Sequence, residues 1–201
     1  MTTEQNLINL NADPINLFKE WFEEAKKTEI NDPNAMNIAT ISSNGKISSR
    51  IVLLKSYSDA GFIFYTNSNS KKGKSIENNT YVALNFHWKS LQKQVRIEGI
   101  ASIISASESD DYYKSRPFGS RIGAWASLQS QELTNRSLLV DRVKEYEKQF
   151  ENSEIIRPPH WNGYLVNPDL MEFWQDMPFR LHDRAEFIKQ KENWASKKLY
   201  P

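Results

Sequence analysis

Ala35-Met36-Asn37-Ile38-Ala39-Thr40-Ile41-Ser42-Ser43-Asn44-Gly45-Lys46-Ile47-Ser48-Ser49-Arg50-Ile51-Val52-Leu53-Leu54 places two apolar, β-branched runs on either side of an Asn-Gly pair. β-Branched side chains suit a pleated surface, and Asn-Gly adopts the positive φ values of a tight hairpin turn. The stretch therefore predicts an antiparallel hairpin, Ala35 to Ile41 against Ile47 to Leu54. Downstream, the turn Asp59-Ala60-Gly61 leads into Phe62-Ile63-Phe64-Tyr65-Thr66, a third strand of a meander. The polar stretch Asn67 to Lys74 opens a short helix. Tyr81 to Trp88 and Gln94 to Ile104 follow as strands, with Val95, Ile97 and Gly99 alternating against Arg96 and Glu98.

Upstream, Asp13 and Pro14 have the character of an N-cap and first helical residue, and Leu17, Phe18, Trp21, Phe22 and Ala25 follow at helical spacing. Residues 1–31 thus form an N-terminal segment with one amphipathic helix, ended by Asp32-Pro33. Beyond Ser107 the period changes. Ser107 to Ser115 and Asn135 to Phe150 are expected as helices of an insert around 107–150, joined by a segment carrying Arg116-Pro117 and Gly123-Ala124-Trp125. After Arg157-Pro158-Pro159, strands are expected at Gly163 to Val166, Leu170 to Trp174, Arg180 to Ile188 and Trp194 to Leu199. The expected class is mainly β with flanking helices: residues 32–201 as one domain, an antiparallel barrel that is closed or half closed.

Composition limits the function. Hydrophobic residues at 39% and charged residues at 25% describe a folded chain, and 201 residues are enough for one sizeable core. A net charge of +1 gives no global field toward nucleic acid or an anionic membrane. With no cysteine there is neither a disulfide framework nor a thiolate nucleophile, which suits a reducing compartment. Met1 to Asn11 lacks a basic start followed by an apolar run, and no stretch is long enough to span a bilayer, so the cytoplasm is expected. His87, His160 and His182 lack metal-ligand spacing, and there is no Gly-x-Ser-x-Gly elbow, Gly-x-Gly-x-x-Gly or Walker loop. Any phosphate must be met by side chains and ordinary loop amides.

Several segments carry groups suited to that task. Strand alternation in Arg180-Leu181-His182-Asp183-Arg184 puts Arg180, His182 and Arg184 on one face. Taken alone, this describes a solvated strand surface as well as one wall of a site. Arg50 and Lys55 stand at opposite ends of an apolar strand, where they either snorkel to water or meet one ligand through a bulge. Lys71-Lys72 after Ser70 fits a phosphate clamp at a helix start, or a wet turn. Tyr112 and Arg116, four apart on an expected helix, align a phenol with a guanidinium. Ser120 follows just past the helix end, and Trp174 would ordinarily pack at a core or rim.

In this order, RIVLLK, FYTN, SKK, QVRIEG, YYKSRP, IGAWAS, QS, FWQ and RLHDR resemble the pyridoxine/pyridoxamine 5'-phosphate oxidases from about Asp32 onward. The resemblance implies a homodimer of split β-barrels with FMN at the subunit interface. It also implies oxidation of pyridoxine 5'-phosphate or pyridoxamine 5'-phosphate by O2, with release of hydrogen peroxide and, from the amine, ammonia. By position it assigns FMN contacts to Arg50, Ile51, Val52, Leu53, Leu54, Lys55, Tyr65, Thr66, Lys71, Lys72, Gln94, Gln129, Ser130, Trp174 and Arg184. Lys55, Tyr112, Arg116 and Ser120 would hold the substrate phosphate, while Arg180 and His182 would face the pyridine ring as the catalytic pair.

There are departures from the family pattern. No arginine precedes Arg50, so the Arg-x-x-Tyr lid that family members often carry is missing or replaced, and Lys71 stands where arginine is common. A nicotinamide-dependent split-barrel reductase would share the fold without the substrate-phosphate cluster of Tyr112, Arg116 and Arg180. A non-catalytic carrier of FMN or pyridoxal phosphate would differ only by lacking turnover.

Overall fold

A computed structural model describes residues 7–201, so the first six residues of the N-terminal stretch considered for a leader lie outside it. The hairpin forms as β1 (Ala35–Ile41) and β2 (Ile47–Leu53), paired from Ala35↔Leu53 to Ile41↔Ile47. Its turn is one residue longer than Asn-Gly alone requires. Ser42 and Lys46 close it, and Gly45 takes φ 78°, a left-handed value that suits glycine.

The remaining elements are α1 (Pro14–Thr28), β3 (Ser56–Ser58), β4 (Gly61–Asn67), α2 (Lys71–Asn78), β5 (Tyr81–Trp88) and β6 (Lys93–Ile103). They are followed by α3 (Ala106–Ser115), α4 (Phe118–Ala126), α5 (Arg136–Gln149), β7 (Trp161–Gln175), β8 (Asp183–Gln190) and β9 (Asn193–Lys198). All nine strands pair antiparallel in one curled sheet of order β2-β1-β5-β6-β7-β4-β3, with β8 on the far half of β7 and β9 beyond it. The curl brings β2 back toward β4 and leaves a half-barrel with a seam between them.

Helix α1 fills the barrel. Asp13 caps it by accepting from Asn16 N at 2.9 Å, and Phe18, fully buried, meets the Tyr57, Phe62, Phe86 and Trp88 rings at 4.9 to 5.9 Å between centroids. Burying one such side chain contributes about 2 kcal/mol, which fixes the helix against the sheet. A second cluster, Tyr113, Ile122, Phe150, Ile155 and Trp161, lies under the inserted helices.

Four expectations are corrected. The segment after Arg116-Pro117 is helix α4, because Ile122 and Ala126 bury one face while Gly119 and Gly123 need no space. Arg116 caps α3 at ψ 148°, so Tyr112 and Arg116 are not helical i,i+4 neighbours. The two strands expected at Gly163 and Leu170 are one continuous strand, β7. Arg180 lies in a one-turn 3-10 segment, Pro178–Arg180, with Phe179 and Arg180 at φ 61° and 62°, and β8 starts only at Asp183. Pro178 has no N–H for a ladder, which removes Arg180 and His182 from the strand face they were expected to share with Arg184.

Each strand presents two faces. On the core face lie Ile38, Thr40, Phe86, Val95, Ile97, Phe173, Ala185 and Phe187, all buried. The opposite face carries Ile47, Ile51 and Leu53 from β2 and Tyr81 from β5, all exposed. Asn85 lies on the same face, and its buried Oδ1 has no partner among the described residues.

Candidate active site

Arg50 pairs with buried Ile38 across the β1–β2 ladder and so projects on the core face at the seam. Its guanidinium donates to Ser48 Oγ at 2.6 Å and Thr40 Oγ1 at 2.8 Å. Across the seam, Ser70 caps α2, which swings Lys72 inward. Lys72 Nζ is buried and donates to Thr66 Oγ1 at 2.8 Å and Gln129 Oε1 at 2.9 Å. Arg50, Thr66, Lys72 and Gln129, with Ile51, Val52, Tyr65, Lys71 and Ser130, line a cleft of about 530 Å³. Burial, and then the Arg50 charge, pull the Lys72 ammonium down to about 8, and burial also lowers Arg50.

A second cleft, of about 410 Å³, is lined by Leu53, Lys55, Tyr65, Tyr112, Ser115, Arg116, Pro117, Ser120 and Trp161. Tyr65 lines both clefts, so they are neighbours. Arg116 is lowered by burial, and its Nη1 is buried without a hydrogen-bond partner. Burial likewise raises the Tyr65 phenol.

Among the described residues, Arg50, Lys55, Lys71, Lys72 and Arg116 have no carboxylate within ion-pair distance, whereas Lys93, Arg157 and Arg184 each have one and Arg96 has two. Cations gathered in concave sites without carboxylate partners are suited to receive anions.

Other residues singled out in the sequence stand elsewhere. Gln94, Trp174 and Arg184 form one cross-strand row on β6, β7 and β8, alternating with buried Val95, Phe173 and Ala185. They therefore lie on the face opposite to Arg50. Glu172, almost fully buried, holds Arg184 through Nε at 3.0 Å and Nη2 at 2.9 Å, and Arg96 at 2.8 Å. The His182 ring lies 4.7 Å from the Trp174 ring, and its Nδ1 is 2.8 Å from Asp176 Oδ1. Arg180 is exposed, and Leu54 is buried in the core beneath Lys55.

The sequence reading missed Trp161, Glu172 and Asp176. Extending the alternation of β7 back from Gly163 would have placed Trp161 on that strand. Nothing in the sequence marks Glu172 as the carboxylate between two arginines.

The curled antiparallel sheet, open at the seam between β2 and β4 with two cation-lined clefts beside it, defines a split barrel. The chain belongs to the pyridoxamine 5'-phosphate oxidase family: residues 22–150 match the family model "Pyridoxamine 5'-phosphate oxidase", and residues 161–201 match "Pyridoxine 5'-phosphate oxidase C-terminal dimerisation region". It is 46% identical over 200 residues, 98% of this chain and 94% of the relative, to a pyridoxine/pyridoxamine 5'-phosphate oxidase of Cyanothece sp.. It is 50% identical to that of Bartonella quintana over 94% of this chain and 92% of the relative. Among solved structures, PhzG from Burkholderia lata, in complex with tetrahydrophenazine-1-carboxylic acid, aligns at TM-score 0.88 and 32% identity, covering 94% of this chain and 93% of that one.

Proposed function

We propose that this protein oxidises pyridoxine 5'-phosphate and pyridoxamine 5'-phosphate to pyridoxal 5'-phosphate, using FMN and molecular oxygen, as a homodimer in the cytoplasm. The observation that carries the proposal is the pair of adjacent clefts with carboxylate-free cations. Two phosphorylated ligands side by side, a cofactor and a substrate, match two anion sites sharing the wall of Tyr65. No helix of the described residues is long and apolar enough to cross a membrane.

The donor set of the first cleft fits a flavin mononucleotide. Arg50, Lys71, Lys72 and Ser130 would take the phosphate, with Thr66 and Gln129 beside them, while Ile51, Val52 and Tyr65 supply backbone and apolar wall. The same ribbon, continuing through Leu53 and Leu54 to Lys55, leads into the second cleft. Gln94, Trp174 and Arg184 of the partner subunit would complete the site, because they lie on the other face of the sheet and cannot meet Arg50 within one chain. When bound, FMN supplies the acceptor for a hydride equivalent from the substrate C4' and returns the electrons to oxygen as hydrogen peroxide.

In the second cleft, Lys55, Tyr112, Arg116 and Ser120 would grip the substrate phosphate and set the position of C4'. Arg180 and His182 of the partner subunit, the latter beside Trp174 on that outer face, would meet the pyridine ring and its hydroxyl. Both the Asp176 carboxylate, at 2.8 Å, and the Met177 N–H, at 3.3 Å, approach His182 Nδ1. Nε2 is the ring nitrogen left free of these two contacts and would face the substrate hydroxyl. Water then hydrolyses the imine from the amine substrate, which leaves the aldehyde and ammonia.

Aerobic incubation with either phosphorylated substrate should release one hydrogen peroxide per aldehyde formed. Nicotinamide-dependent turnover without peroxide would favour a reductase, and no turnover with FMN bound would leave a carrier.

The Lys72 ammonium makes FMN binding pH-dependent. Below about 8 the free protein already carries this charge; above it, Lys72 loses the proton, which a bound phosphate dianion would restore. Binding then takes up a proton, so affinity falls as pH rises beyond that point, by at most about tenfold per unit. Fluorescence titration of the apoprotein from about pH 7 to about pH 10 measures this slope, and a flat profile would remove Lys72 from the phosphate site.

A further inference from the structure

Arg116 lies over the Trp161 ring. Its guanidinium carbon lies 4.6 Å from the centre of the Trp161 ring and 5.8 Å from that of Tyr113. No carboxylate pairs with it among the described residues, and Nη1 is buried without a partner. Trp161, the first residue of β7 and only 7% exposed, stacks on Tyr65 at 5.0 Å and 11°, and lies parallel to Tyr112 at 6.1 Å and 5°. Tyr65 and Tyr112 stack directly at 4.1 Å. The stack closes because Tyr65 pairs across the ladder with Gly163, where a Cβ would run into the Tyr65 ring.

We propose that Trp161 is a positioning residue that sets specificity for the phosphorylated substrate: its indole face fixes the plane of the Arg116 guanidinium while leaving the in-plane donors free for phosphate. This rests on the second cleft being the substrate-phosphate site. All five N–H bonds of a guanidinium point outward in its own plane. A carboxylate partner occupies two of them and cancels the charge, whereas an aromatic face occupies none and leaves the charge available. A guanidinium already ordered in the free protein also loses less side-chain entropy when the ligand arrives.

The test is equilibrium titration of the FMN-loaded protein with pyridoxal 5'-phosphate, for wild type, Trp161→Phe and Trp161→Leu, each with and without Arg116→Ala. Trp161→Leu should weaken binding by about 3- to 30-fold with FMN content unchanged, and Trp161→Phe, which keeps a weaker ring face, by less. Both effects should largely vanish in the Arg116→Ala background, because the ring acts through that cation. Wild-type affinity in Trp161→Leu, or the same weakening with and without Arg116, overturns the proposal. If the leucine variant does not fold, the phenylalanine cycle decides by the same criterion: a loss that depends on Arg116 supports the proposal, and no loss or an Arg116-independent one overturns it. Failure of the wild type to bind pyridoxal 5'-phosphate instead overturns the assignment of the cleft, and the inference with it.

Discussion

Ala39→Arg should give a folded protein that is monomeric by sedimentation and has lost most of its affinity for FMN. Ala39 sits mid-strand on the outward face of β1, between Ser49 of β2 and Ala83 of β5, away from the core packed by Ile38 and Thr40. A long cation there leaves the barrel interior untouched but places a charge in the middle of the face expected to meet a second copy. The monomer would keep Arg50 and Lys72 and lose the contributions of Gln94 and Arg184 from the other subunit. One neutral and one charge-assisted hydrogen bond together contribute on the order of 2 to 4.5 kcal/mol, so FMN affinity should fall by roughly 30- to 2,000-fold. Far-ultraviolet circular dichroism separates this from unfolding. A folded monomer with full FMN affinity would show that one chain supplies the whole site.

Arg116→Ala should do the opposite, leaving FMN bound while the phosphorylated substrate is lost. A charge-assisted hydrogen bond contributes on the order of 1.5 to 3 kcal/mol, so kcat/KM should fall by roughly 10- to 150-fold. Both parameters should suffer, because the phosphate grip positions C4' at a distance from the reacting atoms. Lys55→Ala is a less clean probe, since Lys55 sits where the ribbon from the first cleft enters the second. Steady-state kinetics alongside the flavin absorption spectrum checks the division of labour. If the variant released FMN but oxidised substrate normally once cofactor was restored, the two clefts would have been assigned the wrong way round.

The hairpin was legible because both of its signals are local: alternation within each strand, and a glycine in the turn. Helix α1 was legible for the same reason, through Asp13-Pro14 and the spacing of its apolar residues. Helix α4 was not, because Gly119 and Gly123 weaken helix propensity, and only burial, with Ile122 in the second cluster, outweighs them. The turn at Pro178 hid inside a stretch whose alternating charges imitate a strand. The cations of the site could be named from order and resemblance, but their lack of carboxylate partners is a fact of three-dimensional placement. So is the arrangement of Trp161 beneath Arg116, since 44 residues lie between them in the chain.

The opposite parities of Arg50 and Arg184 on one sheet have a consequence for inheritance. In the proposed dimer each catalytic centre would be assembled from halves of two polypeptides, so a lesion in one half would damage a centre only through the subunit that contributes that half. In a cell carrying two different defective alleles, one altered near β2 and the other near β8, mixed dimers would contain one centre with both lesions and one with neither. Selection therefore acts on the assembled pair, and a loss in either face can be masked by a partner whose defect lies on the other.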